Sequence, residues 1–213
     1  MGKNELALLS AGKTFNLYQK KQVIFYEGGQ PQGLYCIYSG RVKIHKIRDD
    51  GKEQIVRLAK DGSVIGYRSL LVSDNYHATA TTIEDTMVCF FSKSVYMELL
   101  MNNPLFYIKA IQTLSSDLRF AEEMIVNMAQ KPVRSRMAEA ILLLKENFGV
   151  EDDNATINAV MKREDIGSIA GTTTETSIRI LSDFNKKKLI KLIGKKIKIL
   201  EQNKLQRISQ LSG

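Results

Sequence analysis

The sequence predicts an α+β chain in three consecutive parts. These are a β-rich region over 1–103, one long helix over 104–131, and a region of short helices and a hairpin over 132–213. Three observations predict it. Short apolar runs recur between turn signals up to Ser94; the apolar period lengthens after Pro104; and beyond Pro132 two short helical patterns meet at a glycine.

The β-rich region carries strand-like runs at Val23–Tyr26, Leu34–Tyr38, Val42–Ile47, Gln54–Leu58, Thr79–Ile83 and Thr86–Phe91. Gly28-Gly29, Pro31, Gly33, Ser39-Gly40, Asp49-Asp50-Gly51, Asp61-Gly62 and Ser73-Asp74-Asn75 separate them. Asp50-Gly51 is a strong hairpin signal, because both residue types tolerate positive φ. Short strands at such spacing make a barrel or a jelly roll.

From Pro104 the apolar positions Ile111, Leu114, Leu118, Ala121, Ile125 and Met128 alternate spacings of three and four. That is the a/d seam of a coiled coil, and no Gly or Pro interrupts it between Leu105 and Lys131. A seam needs a partner. The expectation is a second copy of the helix, with Phe106, Ile108 and Phe120 left to face the β-rich region; packing of the seam on that region is the alternative.

Pro132 ends the long helix and starts the next in its first turn. Val133, Met137, Ala140, Ile141 and Leu144 form one face of that helix, Gly149 closes it, and Glu151–Asn154 reads as a loop. A short helix over Arg163–Ala170 then ends at Gly171, which takes the left-handed conformation of a tight turn. Thr172 and Glu175 have capping-box spacing, so a second helix begins there. Two short helices about a glycine turn are a helix-turn-helix. On the second helix Ser177, Ile180, Leu181 and Phe184 share one face, while Glu175, Ile178, Arg179 and Ser182 share the other. An outward Arg pairs bidentately with guanine and an outward Glu accepts from cytosine, though an i,i+4 ion pair between them would equally explain the spacing. Leu189–Ile193 and Lys196–Leu200 flank Gly194-Lys195 as a β-hairpin with a basic tip, suited to phosphates. Thr173, Thr174, Glu175, Ile178, Arg179, Ser182, Lys195 and Lys196 are therefore the candidate duplex-DNA contacts.

Composition supports this and excludes other classes. The chain of 213 residues is 44% hydrophobic and 25% charged, enough for a packed core and too apolar for disorder. Its net charge is +8, and the basic excess concentrates between 160 and 200, as a polyanion partner requires. No run reaches the roughly 18 apolar residues of a membrane span, and Leu6–Leu9 is too short for a secretory signal. Cys36 and Cys89 read as reduced thiols of a cytoplasmic protein. No metal or cofactor motif, nucleophile–base set or phosphate-cradling loop is present, so neither a metal, a cofactor nor an enzyme is expected.

Ile166-Gly167-Ser168-Ile169-Ala170-Gly171, Glu175-Thr176-Ser177-Ile178-Arg179-Ile180-Leu181, Ser39-Gly40-Arg41-Val42 and Gly62-Ser63-Val64-Ile65-Gly66 complete a pattern that resembles the Crp/Fnr family of bacterial regulators. The resemblance spans nearly the whole chain. It implies an effector-sensing, cyclic-nucleotide-binding-like jelly roll, a dimerisation helix and a winged helix-turn-helix. It also implies a homodimer on a palindromic operator, a small-molecule effector, and RNA polymerase as a further partner. Glu175 and Arg179 match the family's base-reading pair. Thr174 stands where the cyclic-AMP branch has an arginine. Ser177-Ile178 stands where FNR-like helices have an apolar residue and then Ser.

Cyclic-nucleotide binders of the family carry a Gly-Glu and then an Arg-Ser/Thr-Ala. Gly66-Tyr67-Arg68-Ser69 and Tyr76-His77-Ala78 stand in those places without the two charged anchors, so the expected effector is not cyclic AMP. Gly66, Tyr67, Arg68, Ser69, Tyr76 and His77 are the candidate effector pocket. Arg68 is read either as an anion site or as a salt-bridging arginine. An iron–sulfur cluster needs four thiolates, which two cysteines do not supply. His77 is the histidine a haem-sensing layout would use; a lone histidine is more often packed or solvated. The alternative function is a small-molecule or redox sensor acting mainly through protein contacts.

Overall fold

The computed structural model describes residues 12–47 and 51–211. The run Leu6–Leu9 and the turn residues Asp49-Asp50 lie outside them. The chain forms two compact units, one holding residues 12–47 and 56–119, the other 51–55 and 120–211.

The first unit is a jelly roll of two four-stranded sheets. One is ordered β1-β8-β3-β6, the other β2-β7-β4-β5. The strands are β1 (Lys13–Tyr18), β2 (Val23–Phe25), β3 (Gly33–Ser39), β4 (Val42–Ile47), β5 (Glu53–Ala59), β6 (Val64–Ile65), β7 (Thr79–Thr82) and β8 (Thr86–Ser92). The expected hairpin forms between β4 and β5, with Gly51 at φ +76°.

Side-chain alternation fixes what each face of the first sheet covers. Ile37 and Val88 are cross-strand partners, and they point inward with Ile24, Val42, Ile65 and Ala80. Each of the buried Ile and Val side chains contributes about 1.5–3 kcal/mol. Leu34, Cys36 and Phe91 point the other way, toward three helices: α1 (Tyr67–Val72), α2 (Lys93–Asn102) and α3 (Pro104–Gln130). In this unit two strands and two helices go beyond the sequence reading. β1 is almost wholly exposed and shows only the short alternation of Phe15 and Leu17, β6 has only two residues, and α1 and α2 are short.

The long helix α3 has 27 residues, none fully buried. The structure divides the expected seam. Ile111, Leu118, Ala121 and Ile125 are exposed. Leu114 instead packs on the α1–α2 cluster of its own chain, as does Phe106. Met128 is half-buried, and Arg136 donates to its carbonyl at 3.0 Å and to its sulfur at 3.1 Å. Ile108 and Phe120, expected on the β domain, are exposed. A helix repeating at 3.6 residues drifts across a 3.5-residue pattern, so one seam supplies two surfaces.

The second unit packs α4 (Val133–Phe148), α5 (Arg163–Ile169), α6 (Thr174–Lys186) and α7 (Gln202–Ser209) with the hairpin β9 (Ile190–Ile193) and β10 (Lys196–Ile199). Met137, Ile141, Leu144, Ile166, Leu181, Phe184 and Leu205 form its core. Pro132 is the N-cap of α4 rather than its first helical residue, and its carbonyl accepts from the Ser135 and Arg136 amides. Gly149 closes α4 as expected, at φ +69°.

Candidate nucleic-acid interface

Helices α5 and α6 meet through a Schellman turn. Gly171 has φ +61°, its amide donates to the Ser168 carbonyl at 3.1 Å, and the Thr172 amide donates to the Gly167 carbonyl at 2.9 Å. Thr172 is consumed in closing the first helix and does not cap the second, which corrects the expected Thr172–Glu175 capping box. Thr173 is the N-cap, accepting at its hydroxyl from the Thr176 amide at 3.3 Å. Gly167 lets the helices approach: a Cβ there would lie 3.1 Å from the Ser177 Cβ. Ser177, fully buried at this crossing, donates to the Arg163 carbonyl at 3.0 Å.

Helix α6 divides as the sequence predicts. Ser177, Ile180, Leu181 and Phe184 are buried. Glu175, Ile178, Arg179 and Thr173 are exposed, with Thr174 and Ser182 half-exposed between. Among the described residues no ion pair joins Glu175 to Arg179, so the guanidinium is available. Glu175's own backbone amide and the Thr173 hydroxyl hold its carboxyl below the usual range, keeping it an ionised acceptor. The inner end of α6 is anchored by Asp183, which pairs with Arg134 of α4; that guanidinium lies 4.6 Å over the Phe184 ring. Arg134 holds the Asp183 carboxyl below its ordinary value.

The hairpin turns at Gly194-Lys195, with Lys196 opposite Ile193. Arg163 braces the tip, donating to the Gly194 carbonyl at 2.7 Å. Lys195 is exposed, whereas Lys196 pairs with Glu151 and Lys198 with Asp153 at 3.0 Å. The segment read as a loop is thus a carboxylate clasp on the wing. Its Asp153 carboxyl is held far below its usual range by the Thr156 amide, then the Thr156 hydroxyl and Lys198. Lys196 is therefore a weaker phosphate candidate than Lys195. Arg163 and Glu151 escaped the sequence reading because their partners are 31 and 45 residues away.

In the first unit the expected effector residues fall into separate groups: Tyr67 and Arg68 meet at Asp117, Gly66 lies beside Tyr76, and His77 stands apart. Gly66 is the N-cap of α1, and Ser69 donates to the Asn75 carbonyl at 3.0 Å. Tyr76 stacks on Phe25 at 4.0 Å, and its hydroxyl donates to the Gly33 carbonyl at 3.3 Å. His77 is exposed and bonds Asp74 at 2.9 Å. Arg68 is no open anion site: it donates to Asp117 of α3, which also accepts from Tyr67 and Arg57. Among the described residues no three His, Cys, Asp or Glu side chains gather as a metal site.

Comparison with known proteins agrees with this architecture. Residues 15–103 match the cyclic nucleotide-binding domain, and residues 135–208 match the Crp-like helix-turn-helix domain. The chain is 31% identical over 188 residues to the electron transport regulator A of Shewanella oneidensis, covering 88% of this chain and 75% of that one. This chain belongs to the Crp/Fnr family of transcription regulators. The Crp/Fnr protein described here is also 30% identical over 189 residues to the global nitrogen regulator of Synechococcus elongatus, covering 85% of this chain and 83% of that one. Its fold is shared by FixK2 from Bradyrhizobium japonicum (TM-score 0.83, 24% identity, 94% of this chain and 99% of that one). It is shared too by a CRP/FNR-family regulator from Thermus thermophilus (TM-score 0.82, 20% identity, 94% and 100%). As a Crp/Fnr regulator the chain carries its helix-turn-helix as a DNA-binding domain, and among the described residues no helix is long and apolar enough to cross a membrane.

Proposed function

We propose that this Crp/Fnr regulator works as a homodimer on a palindromic duplex site, reading each half-site with α6. The observation that carries the reading is the division of α6. Behind it lie four buried residues, and in front lie Glu175, Ile178 and Arg179, without ion-pair partners among the described residues. Such a face fits the major groove, with Arg179 reading guanine, Glu175 reading cytosine and Ile178 near a thymine methyl. Thr173, Thr174 and Ser182 flank them, and Lys195 meets a phosphate beside the groove.

The exposed stripe Ile111, Leu118, Ala121 and Ile125 on α3 supports the dimer, which sets two α6 helices about 34 Å apart. The working division is a sensing jelly roll over 1–103, a dimerisation helix over 104–131 and a winged head over 132–213. Duplex DNA as ligand places this work in the cytoplasm, and RNA polymerase is the partner through which such a dimer acts. The effector is a small molecule other than cyclic AMP. This is supported by Tyr67, which stands where the family's cyclic-nucleotide binders have the acid of their Gly-Glu, and by Arg68, which is committed to Asp117.

Selection of bound sequences from a random duplex library tests the reading. The expected product is an inverted repeat whose half-sites relax when Arg179→Ala is used. Recovery of the same consensus with Arg179→Ala removes Arg179 from base reading, and recovery of no consensus removes the function.

A further inference from the structure

The face of the first sheet that turns away from the jelly-roll interior does not close fully on its helices. A cavity of about 210 Å³ remains between β3, β6 and β8 on one side and α1, α2 and α3 on the other. It lies wholly in the first unit. Of the six residues expected to form an effector pocket, only Tyr67 borders it. Its walls are aromatic: Tyr67, Phe91, Tyr96 and Phe106, with Tyr96 and Phe106 edge-to-face at 6.0 Å between ring centres.

Few polar groups face this space, and those that do are mostly occupied. The Tyr67 hydroxyl donates to Asp117, and Thr113 donates to the Lys109 carbonyl at 2.9 Å. Burial, and after it the neighbouring Tyr67, pushes the Tyr96 hydroxyl up to about 12, so that ring stays neutral. Lys109 differs. It is exposed on α3, is the one cation on the lining, and has no ion pair among the described residues. No carboxylate borders the cavity.

We infer that this cavity binds a small aromatic carboxylate, its ring held among the four aromatic side chains and its carboxylate paired with Lys109 at the mouth. Size is consistent: a dry apolar cavity of about 150 Å³ accepts benzene, so this one takes a larger ring system carrying a short acid arm. The lining is consistent too, since ring faces and edges stack on aromatic ligands with defined geometry. An apolar site with one oriented charge is the usual make-up of a small-molecule pocket. Its occupant would lie against Phe106 and Ala110 at the start of α3, the helix that carries the exposed stripe. The binding itself does not depend on DNA recognition or on the dimer.

The test uses the full chain without DNA, with indole-3-acetate, neutral indole and octanoate as probes in calorimetry. Cys36 lines the cavity, and burial pushes its thiol up to about 11, so its alkylation by iodoacetamide is followed at pH 9, in a Cys89→Ser background, to report occupancy at this site. Indole-3-acetate is expected to bind and to slow Cys36 alkylation. Lys109→Met is expected to weaken it about tenfold while leaving indole unchanged. Ala110→Phe, which fills the cavity, is expected to abolish both; if that variant does not fold, Cys36 protection in the otherwise unchanged protein decides. No binding at millimolar indole-3-acetate overturns the proposal, as does binding that leaves Cys36 alkylation unaltered. Equal affinity in Lys109→Met removes the carboxylate assignment. Tighter binding of octanoate than of indole-3-acetate removes the aromatic one.

Discussion

Arg68 reaches Asp117 across 2.5 Å, and the Tyr67 hydroxyl and Arg57 donate to the same carboxylate oxygen at 2.5 and 3.0 Å. One acid on the long helix therefore gathers three donors from the jelly roll and α1. Burial pushes the Asp117 carboxyl up, but the Arg68 and Tyr67 hydrogen bonds and the two arginine charges outweigh it and leave the carboxyl below its ordinary value.

That sign sets a pH dependence. A carboxylate with a lowered folded-state pKa stabilises the fold fully above its unfolded-state value of about 3.9, and the contribution fades as pH falls through the folded value. Asp117→Asn is expected to cost about 1–2 kcal/mol at pH 7. Urea melts of the two proteins should begin to converge below about pH 4 and meet once pH has fallen through the lowered folded value. A pH-independent gap between them would assign the loss to packing.

Arg179 and Lys195 are expected to fail differently. Arg179→Ala should lose about 1–3 kcal/mol of discrimination at one base pair. Lys195→Ala should weaken all duplexes alike and lower the slope of log K against log salt by about 1. Fluorescence anisotropy across a salt series, on matched and mutated sites, separates the two.

Leu118 and Leu114 lie four residues apart on α3 but serve different surfaces. Leu118 is 62% exposed, whereas Leu114 packs on the α1–α2 cluster. Leu118→Lys is expected to yield a monomer in sedimentation equilibrium with little change in stability. Leu114→Ala is expected to remain a dimer and to lose on the order of 2 kcal/mol, since half-buried leucines fall at the low end of cavity-forming losses.

The two turns that bound α6 offer opposite responses. Gly171 needs its left-handed backbone, and a side chain there would also press on the Met128 sulfur. Gly171→Ala should cost about 1–2 kcal/mol. Lys188 adopts the same left-handed conformation, φ +54°, in a second Schellman turn: its amide donates to Asn185 and the Leu189 amide to Phe184. Lys188→Gly should add roughly 0.5–1 kcal/mol of thermal stability, visible as a raised Tm.

The parts legible in the sequence were those encoded locally. The strands around Ile37 and Val88, the glycine turn at Gly171 and the two faces of α6 each follow from neighbouring residues and a period. Thr173 rather than Thr172 caps α6 because the preceding helix takes the Thr172 amide, a competition that capping spacing does not record. The remainder depends on distant pairing. Asp117 shows no motif of its own, and its partners lie as far as 60 residues away. Lys196 reads as a free lysine until Glu151 is brought beside it. The seam on α3 shows that six positions are apolar but not which of them the chain's own domains will cover.

The carboxylate clasp on the wing bears on how such a protein searches a chromosome. A lysine already neutralised by Glu151 or Asp153 displaces fewer counterions when it nears a phosphate, so it adds little to the indiscriminate attraction that any duplex exerts. Wrong sites outnumber right ones by many orders of magnitude, and every cation withheld from them shortens the time lost there. By tying up Lys196 and Lys198, the acidic turn would lower the background grip of the head and leave more of its preference to the base edges that Arg179 and Glu175 are proposed to read.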